Sequence, residues 1–222
     1  MSNGNNTDWF ARVVAVLGLV LACASIVLPY VKDISDSQEA INITAKPESG
    51  GGILRLSGNL ENSRAIQIPW VFTISNTGKV TFSITSYTVH KLEGNGGVSY
   101  FSGLDGGLTD SMNRPVAIPF TLNPGESESF RLHLGYVPEQ KVEDILRNLF
   151  EKIGPVEYQS AFHTLAKQGL TFYGGDAVYR EFEDGNTLIS IESFDKDPVY
   201  QVSFGTGRGN SFAIVTSTNP AY

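Results

Sequence analysis

From Ile66 the chain reads IQIPWVFTIS to Ser75, turns through Asn76-Thr77-Gly78, and comes back as VTFSITSYTVHKL from Val80 to Leu92. The first run is apolar enough for a central strand, with Pro69 expected at a bulge or at the strand's start. In the second run Val80, Phe82 and Ile84 alternate with Thr81, Ser83 and Thr85, the period of a strand with one buried face. Asn and Gly tolerate positive φ, so the link between the runs reads as a tight turn and the pair as a hairpin.

The same period extends outward. Ile41 and Ile43 alternate with Asn42 and Thr44 after a polar stretch at 32–39, and ILRLSG follows a triple glycine at 50–52. Glu93 to Arg114 has no sustained periodicity and reads as a long surface loop with a short edge strand near Val98 to Phe101. Pro115–Leu122 and Ser127–Tyr136, joined by Asn123-Pro124-Gly125-Glu126, predict a second hairpin, with Phe130, Leu132 and Leu134 inward and Arg131 and His133 outward. At Val137-Pro138-Glu139 the period changes. Val142, Ile145, Leu146, Leu149, Phe150 and Ile153 form one helical stripe that Gly154-Pro155 ends, and a weaker helix carries Tyr158, Phe162, Leu165 and Ala166. The tail predicts two further hairpins, 177–183 with 187–194 and 199–204 with 211–217, the first turning at Asp184-Gly185. The Gly205-x-Gly207-x-Gly209 run lies between two strands, so it reads as a turn and not as a phosphate cradle.

This arrangement of strands resembles immunoglobulin-like sandwich modules of membrane-tethered proteins. The likeness is carried by Trp70 to Gly78 running into a second strand, by the NPGE turn, and by the closing strand, glycine turn and strand. It covers residues 40–136 and 187–217. The Cys…Trp…Cys signature is absent, and the helical pair at 138–169 interrupts the pattern as an insertion. The fold expected is mainly β, an antiparallel immunoglobulin-like β-sandwich with a helical hairpin inserted, preceded by one transmembrane helix. Such a likeness implies an architecture and no particular activity.

The transmembrane expectation rests on VVAVLGLVLACASIVLPYV, Val13 to Val31, which contains no charge. Nineteen residues of helix are roughly 28 Å long, close to the hydrocarbon thickness of a bilayer. Trp9, Phe10 and Tyr30 flank the run as interfacial aromatics do, and Arg12 and Lys32 close it. Residues 1–12 then form a short tail, 13–31 the anchor, 32–39 a linker and 40–222 the domain. Ala22-Cys23-Ala24 also fits a signal-peptidase site, and Leu19 to Cys23 a lipobox. The apolar stretch that continues to Val31 favours the uncleaved anchor, with Cys23 as an apolar filler. Basic residues are nearly balanced across the span. The absence of any cysteine from residues 32–222, together with Gly/Ser/Thr/Asn-rich strands, favours a domain outside the cytoplasm.

A net charge of −7 without a Lys/Arg cluster argues against nucleic acid, whose phosphates demand a basic face. One cysteine excludes an intrachain disulfide and a cysteine zinc site, and His90, His133 and His163 lack the spacing of metal ligands. No catalytic constellation and no cofactor motif stands out. The candidate binding residues are Tyr173 and Asp176, the two ends of a Tyr-Gly-Gly-Asp loop joining helices to strands, with Glu181 and Glu183 beyond it. Glu181 and Glu183 are expected on one strand face, where they suit acid–base work or calcium, with solvated strand residues as the plainer reading. Two functions follow as expectations: a membrane-anchored, non-enzymatic module that presents its sandwich to a protein partner, or a ligand-binding or hydrolytic domain using the 173–184 carboxylates and aromatics.

Overall fold

The computed structural model describes residues 9, 13–23, 25, 27, 37–48, 52–57 and 65–220. Residues 13–23 are helical, as are Ser25 and Val27; this is helix α1. Among the described residues no helix is long and apolar enough to cross a membrane. The last part of the expected span, 28–31, lies outside them, as do most of the tail and of the linker.

The rest of the described chain is mainly antiparallel β-structure. Strand β3 (Ile66–Asn76) pairs with β1 (Ile41–Pro47) on one side and β8 (Ser127–Tyr136) on the other, while β6 (Asp105–Thr109) extends the sheet beyond β8 and the short β2 (Arg55–Leu56) adds to β3. The second sheet runs β12 (Ser211–Thr216), β11 (Val199–Thr206), β4 (Phe82–Leu92) and β5 (Val98–Ser99), with β7 (Phe120–Leu122) on β4. A separate hairpin joins β9 (Ala177–Glu181) to β10 (Thr187–Ile191).

The two sheets face each other across an aromatic core. Phe204 of β11 meets Phe72 of β3 and Phe130 of β8 edge-on, with ring centroids 6.1 Å and 5.8 Å apart, and Trp70 meets Tyr200 in the same way at 6.3 Å. Edge-to-face contacts at these distances add to the burial of large apolar side chains, which is the main force closing the sandwich.

Both hairpins expected ahead of the helical pair are corrected by this topology. β3 and β4 belong to opposite sheets, and so do β7 and β8. The Asn123–Glu126 link turns as expected, with Gly125 at φ of +82°, whereas Asn76 ends β3 and neither it nor Gly78 adopts positive φ; both links cross between layers. The side chain of Asn76 is the tie: buried, it donates from Nδ2 to the carbonyls of Val80 and Leu122 at 2.9 and 3.0 Å and accepts at Oδ1 from Gly78 N–H. Alternation specifies which face of a strand is buried and leaves its neighbour open, so an arch and a hairpin share one pattern.

Two other expectations change. Pro69 lies inside β3, where β1 stops opposite Trp70 and β2 begins opposite Gln67, so the missing N–H falls at a gap between partners. Between Glu93 and Arg114 the short edge strand expected near Val98 is β5, and a further strand, β6, stands where only loop was expected. The segment 103–107 folds over the outer face of β3 and β8: Gln67 Nε2 donates to Gly103 O at 2.9 Å and Gly135 N to Leu104 O at 2.8 Å. His133, expected on a solvated face, is thereby fully buried.

Helices α2 (Gln140–Ile153) and α3 (Tyr158–Lys167) form where the period changes. Val142 and Leu146 are buried with Ala161 and Leu165, although Ile153, at the end of the expected stripe, is exposed. The strap 52–57 ties the pair to the first sheet through Leu54 N to Val156 O at 2.9 Å and Tyr158 N to Gly52 O at 2.7 Å.

The sandwich therefore has two distinct ends. At one, Ile41 of β1 lies opposite Asn76, beside the turn that carries Arg208. At the other, Ile66 lies opposite Tyr136 and the helices begin. Eleven residues of β3 separate these ends, roughly 35 Å of extended chain.

Candidate functional site

The far end of the sandwich contains a cavity of about 390 Å³. Tyr136 and Val137, at the end of β8, form one wall; Lys91, Glu93, Ser99 and Phe101 come from β4, β5 and their surroundings; Glu139 precedes α2, and Tyr173, Lys196 and Pro198 close it from two loops. The volume is within the roughly 300–1,000 Å³ typical of small-ligand sites.

Two ion pairs flank an aromatic floor. Lys196 Nζ donates to Glu139 Oε1 at 2.7 Å and to the carbonyl of Gly174 at 2.9 Å. Gly174 has φ of +80°, and a Cβ there would stand 2.9 Å from the Glu139 carboxylate, so glycine is what lets this pair close. Across the opening, Glu93 Oε1 accepts from Ser99 Oγ at 2.6 Å and from Lys91 Nζ at 3.3 Å. The Ser99 hydroxyl first, and then Lys91, hold the Glu93 carboxyl below its ordinary range, so it is a carboxylate at neutral pH.

On the floor Tyr136 and Tyr173 meet edge-on, 4.9 Å between centroids. Burial drives both hydroxyls well above their ordinary pKa, and each stays a neutral phenol. Tyr136 is only 4 % exposed and its hydroxyl has no hydrogen-bond partner among the described residues. Its neighbour Tyr200 donates to the carbonyl of Gly135 at 3.1 Å. An unpaired buried hydroxyl costs about 1–3 kcal/mol, and this oxygen is closed to the cavity as well as to solvent.

Asp197 lies behind the floor. It accepts from Thr218 Oγ1, while its other oxygen is buried without a partner, and burial raises its pKa. Ser217 Oγ donates to the carbonyl of Pro198 at 3.0 Å, so the end of the chain is strapped against this loop.

Of the residues singled out in the sequence, Tyr173 lines the cavity. Asp176 is exposed just before β9, Glu181 is exposed at that strand's last position, and Glu183 is exposed in the turn after it. The strand ends before Glu183, so the two glutamates do not share a strand face. Asp184 works within the turn, accepting from Asn186 N–H at 3.0 Å. Among the described residues no group of three or more His, Cys, Asp or Glu is placed to hold a metal ion. The Gly205-x-Gly207-x-Gly209 segment is the β11–β12 turn, closed by Thr206 N to Asn210 O at 2.9 Å.

Tyr136, Lys91, Glu93, Glu139 and Lys196 are not marked by any motif. Tyr136 continues the inward series Phe130, Leu132 and Leu134, and its one signal is a polar atom placed where that series runs out of core. No protein-family model matches this chain, and no curated protein matches it either.

Proposed function

We propose that this chain is a single-pass membrane protein that holds an immunoglobulin-like sandwich outside the cytoplasm and engages a protein partner through the end farthest from its anchor. The observation that carries this reading is the polarity of the fold. The chain enters the sandwich at the end where Ile41 pairs with Asn76, and the concave, mixed-charge surface lies at the opposite end. Loops and cavities at the end of a rigid β scaffold are where binding residues concentrate.

Lipid is the partner proposed for the N-terminal helix. Val14, Val16, Leu17, Leu19, Val20 and Leu21 are all exposed, Leu21 by 69 %, with no polar face among them. A helix apolar on every side suits a hydrocarbon environment. Glu39 supports a fixed pose above the membrane. Its Oε2 accepts from Thr206 Oγ1 at 2.7 Å and Asn210 Nδ2 at 2.8 Å, which clamps the segment following the anchor to the near-end turn.

A photoreactive residue placed at Val137, which is exposed beside the cavity, tests the proposal in native membranes. One discrete protein adduct from Val137, and none from the same probe at near-end Glu126, is the expected result. Equal labelling from both positions would contradict it.

A second reading, ligand binding at the far end, is favoured by the cavity of about 390 Å³ there. It draws on Tyr173 and the cavity and not on Asp176, Glu181 or Glu183, which are spread along an exposed hairpin.

A further inference from the structure

The ligand that suits the far-end cavity can be narrowed from its charges. Lys91 and Lys196 are matched by Glu93 and Glu139, so the lining carries no excess of either sign. An ion entering it would meet repulsion as close as attraction. A pair of neighbouring hydroxyls meets neither difficulty, because each hydroxyl can accept from an ammonium and donate to a carboxylate at once. Each ammonium here is within 3.3 Å of its carboxylate, a spacing that two adjacent hydroxyls can bridge. Phe101 and Pro198 add an apolar wall for a carbon ring.

We infer that the cavity binds an uncharged ring bearing adjacent hydroxyls, of the pyranose or cyclitol kind; this rests on the ligand-binding reading of the same cavity. The two lysine–glutamate pairs bracket the ring hydroxyls, and the Tyr136 and Tyr173 rings lie beneath the ring carbons. Small polar rings gain little free energy per atom, so the affinity expected for an isolated ring is in the millimolar range.

The test uses the full chain in lipid nanodiscs, with the amide signals of Gly174 and Lys196 followed by NMR. The probes are methyl α-glucoside, methyl α-mannoside, methyl β-galactoside and myo-inositol, with sodium glucuronate and glycylglycine as charged comparators. Saturable shifts with a methyl glycoside or with inositol are the expected result, the first indicating a glycan end and the second a free polyol. Glu139→Gln should weaken that binding about tenfold, the usual cost of one charged hydrogen bond, whereas Tyr136→Phe should leave it unchanged. Tyr136→Phe removes an oxygen that bonds to nothing, so the urea midpoint should not fall. Shifts with glucuronate or glycylglycine alone would overturn the polyol inference and leave ligand binding standing. No shift with any probe would overturn both. Binding that Glu139→Gln leaves unchanged would also overturn the inference, because the ring would then lie elsewhere.

Discussion

His133 is enclosed on the outer face of the first sheet, fully buried, with the Arg55 and Arg131 guanidiniums nearby. The Ile53 and Gly107 backbones lie near enough to favour its charged form, but neither is aligned for a hydrogen bond to the ring. Burial first, and then Arg55, lower its pKa from 6.5 to about 4. The unfolded chain therefore takes up a proton that the folded protein refuses. Stability from this site is complete above pH 6.5, declines as the pH falls towards 4, and changes no further below that. The loss across the window is at most about 3 kcal/mol. Urea midpoints measured across it should fall with pH in the parent and be nearly level in His133→Gln. Gly135 makes a harder demand, because a Cβ there would run into the backbone carbonyl of Gly103. Neither chain segment has a flexible end to give way, so Gly135→Ala should destabilise by about 3 kcal/mol in a denaturant titration.

The arch from β3 to β4 carries the main lesson about what can be read from residues. The periods were legible: β9–β10 and β11–β12 pair as their turns require, and the helical pair lies where the spacing changes from two to 3.6. Strand partnership was not legible. Phe82 and Ile84 face inward whether β4 pairs with β3 or packs opposite it, and the deciding contact is a buried asparagine that itself looks like an ordinary turn residue. Asn76→Ala would leave the carbonyls of Val80 and Leu122 without that donor, at a cost of about 2 kcal/mol. Asn76→Asp should cost at least as much, since a carboxylate cannot donate to either. Phe204→Ala reaches further, because that ring touches both Phe72 and Phe130 across the core. A loss of about 3–5 kcal/mol is expected by the same titration. The candidate site was legible only at Tyr173. Its other members come from segments far apart in the chain, and spacing arguments cannot join residues that only tertiary structure brings together.

At the scale of the whole molecule, one sandwich separates two surfaces of different character. The near end is clamped by Glu39 to the segment that leads from the apolar N-terminal run, and the far end carries the cavity, its paired charges and the helical cap. Were the run lipid-embedded and the sandwich upright on the membrane, the length of β3 would set the cavity roughly 35 Å from the surface, well beyond the Debye length of about 8 Å at physiological salt. Headgroup charge would then have little influence on what binds there. The direct measurement places a fluorophore at residue 126 or residue 137 of the full chain in nanodiscs containing lipids spin-labelled at the headgroup. The proposal predicts strong quenching at 126 and almost none at 137. Equal quenching at the two positions, or none at either, would contradict it.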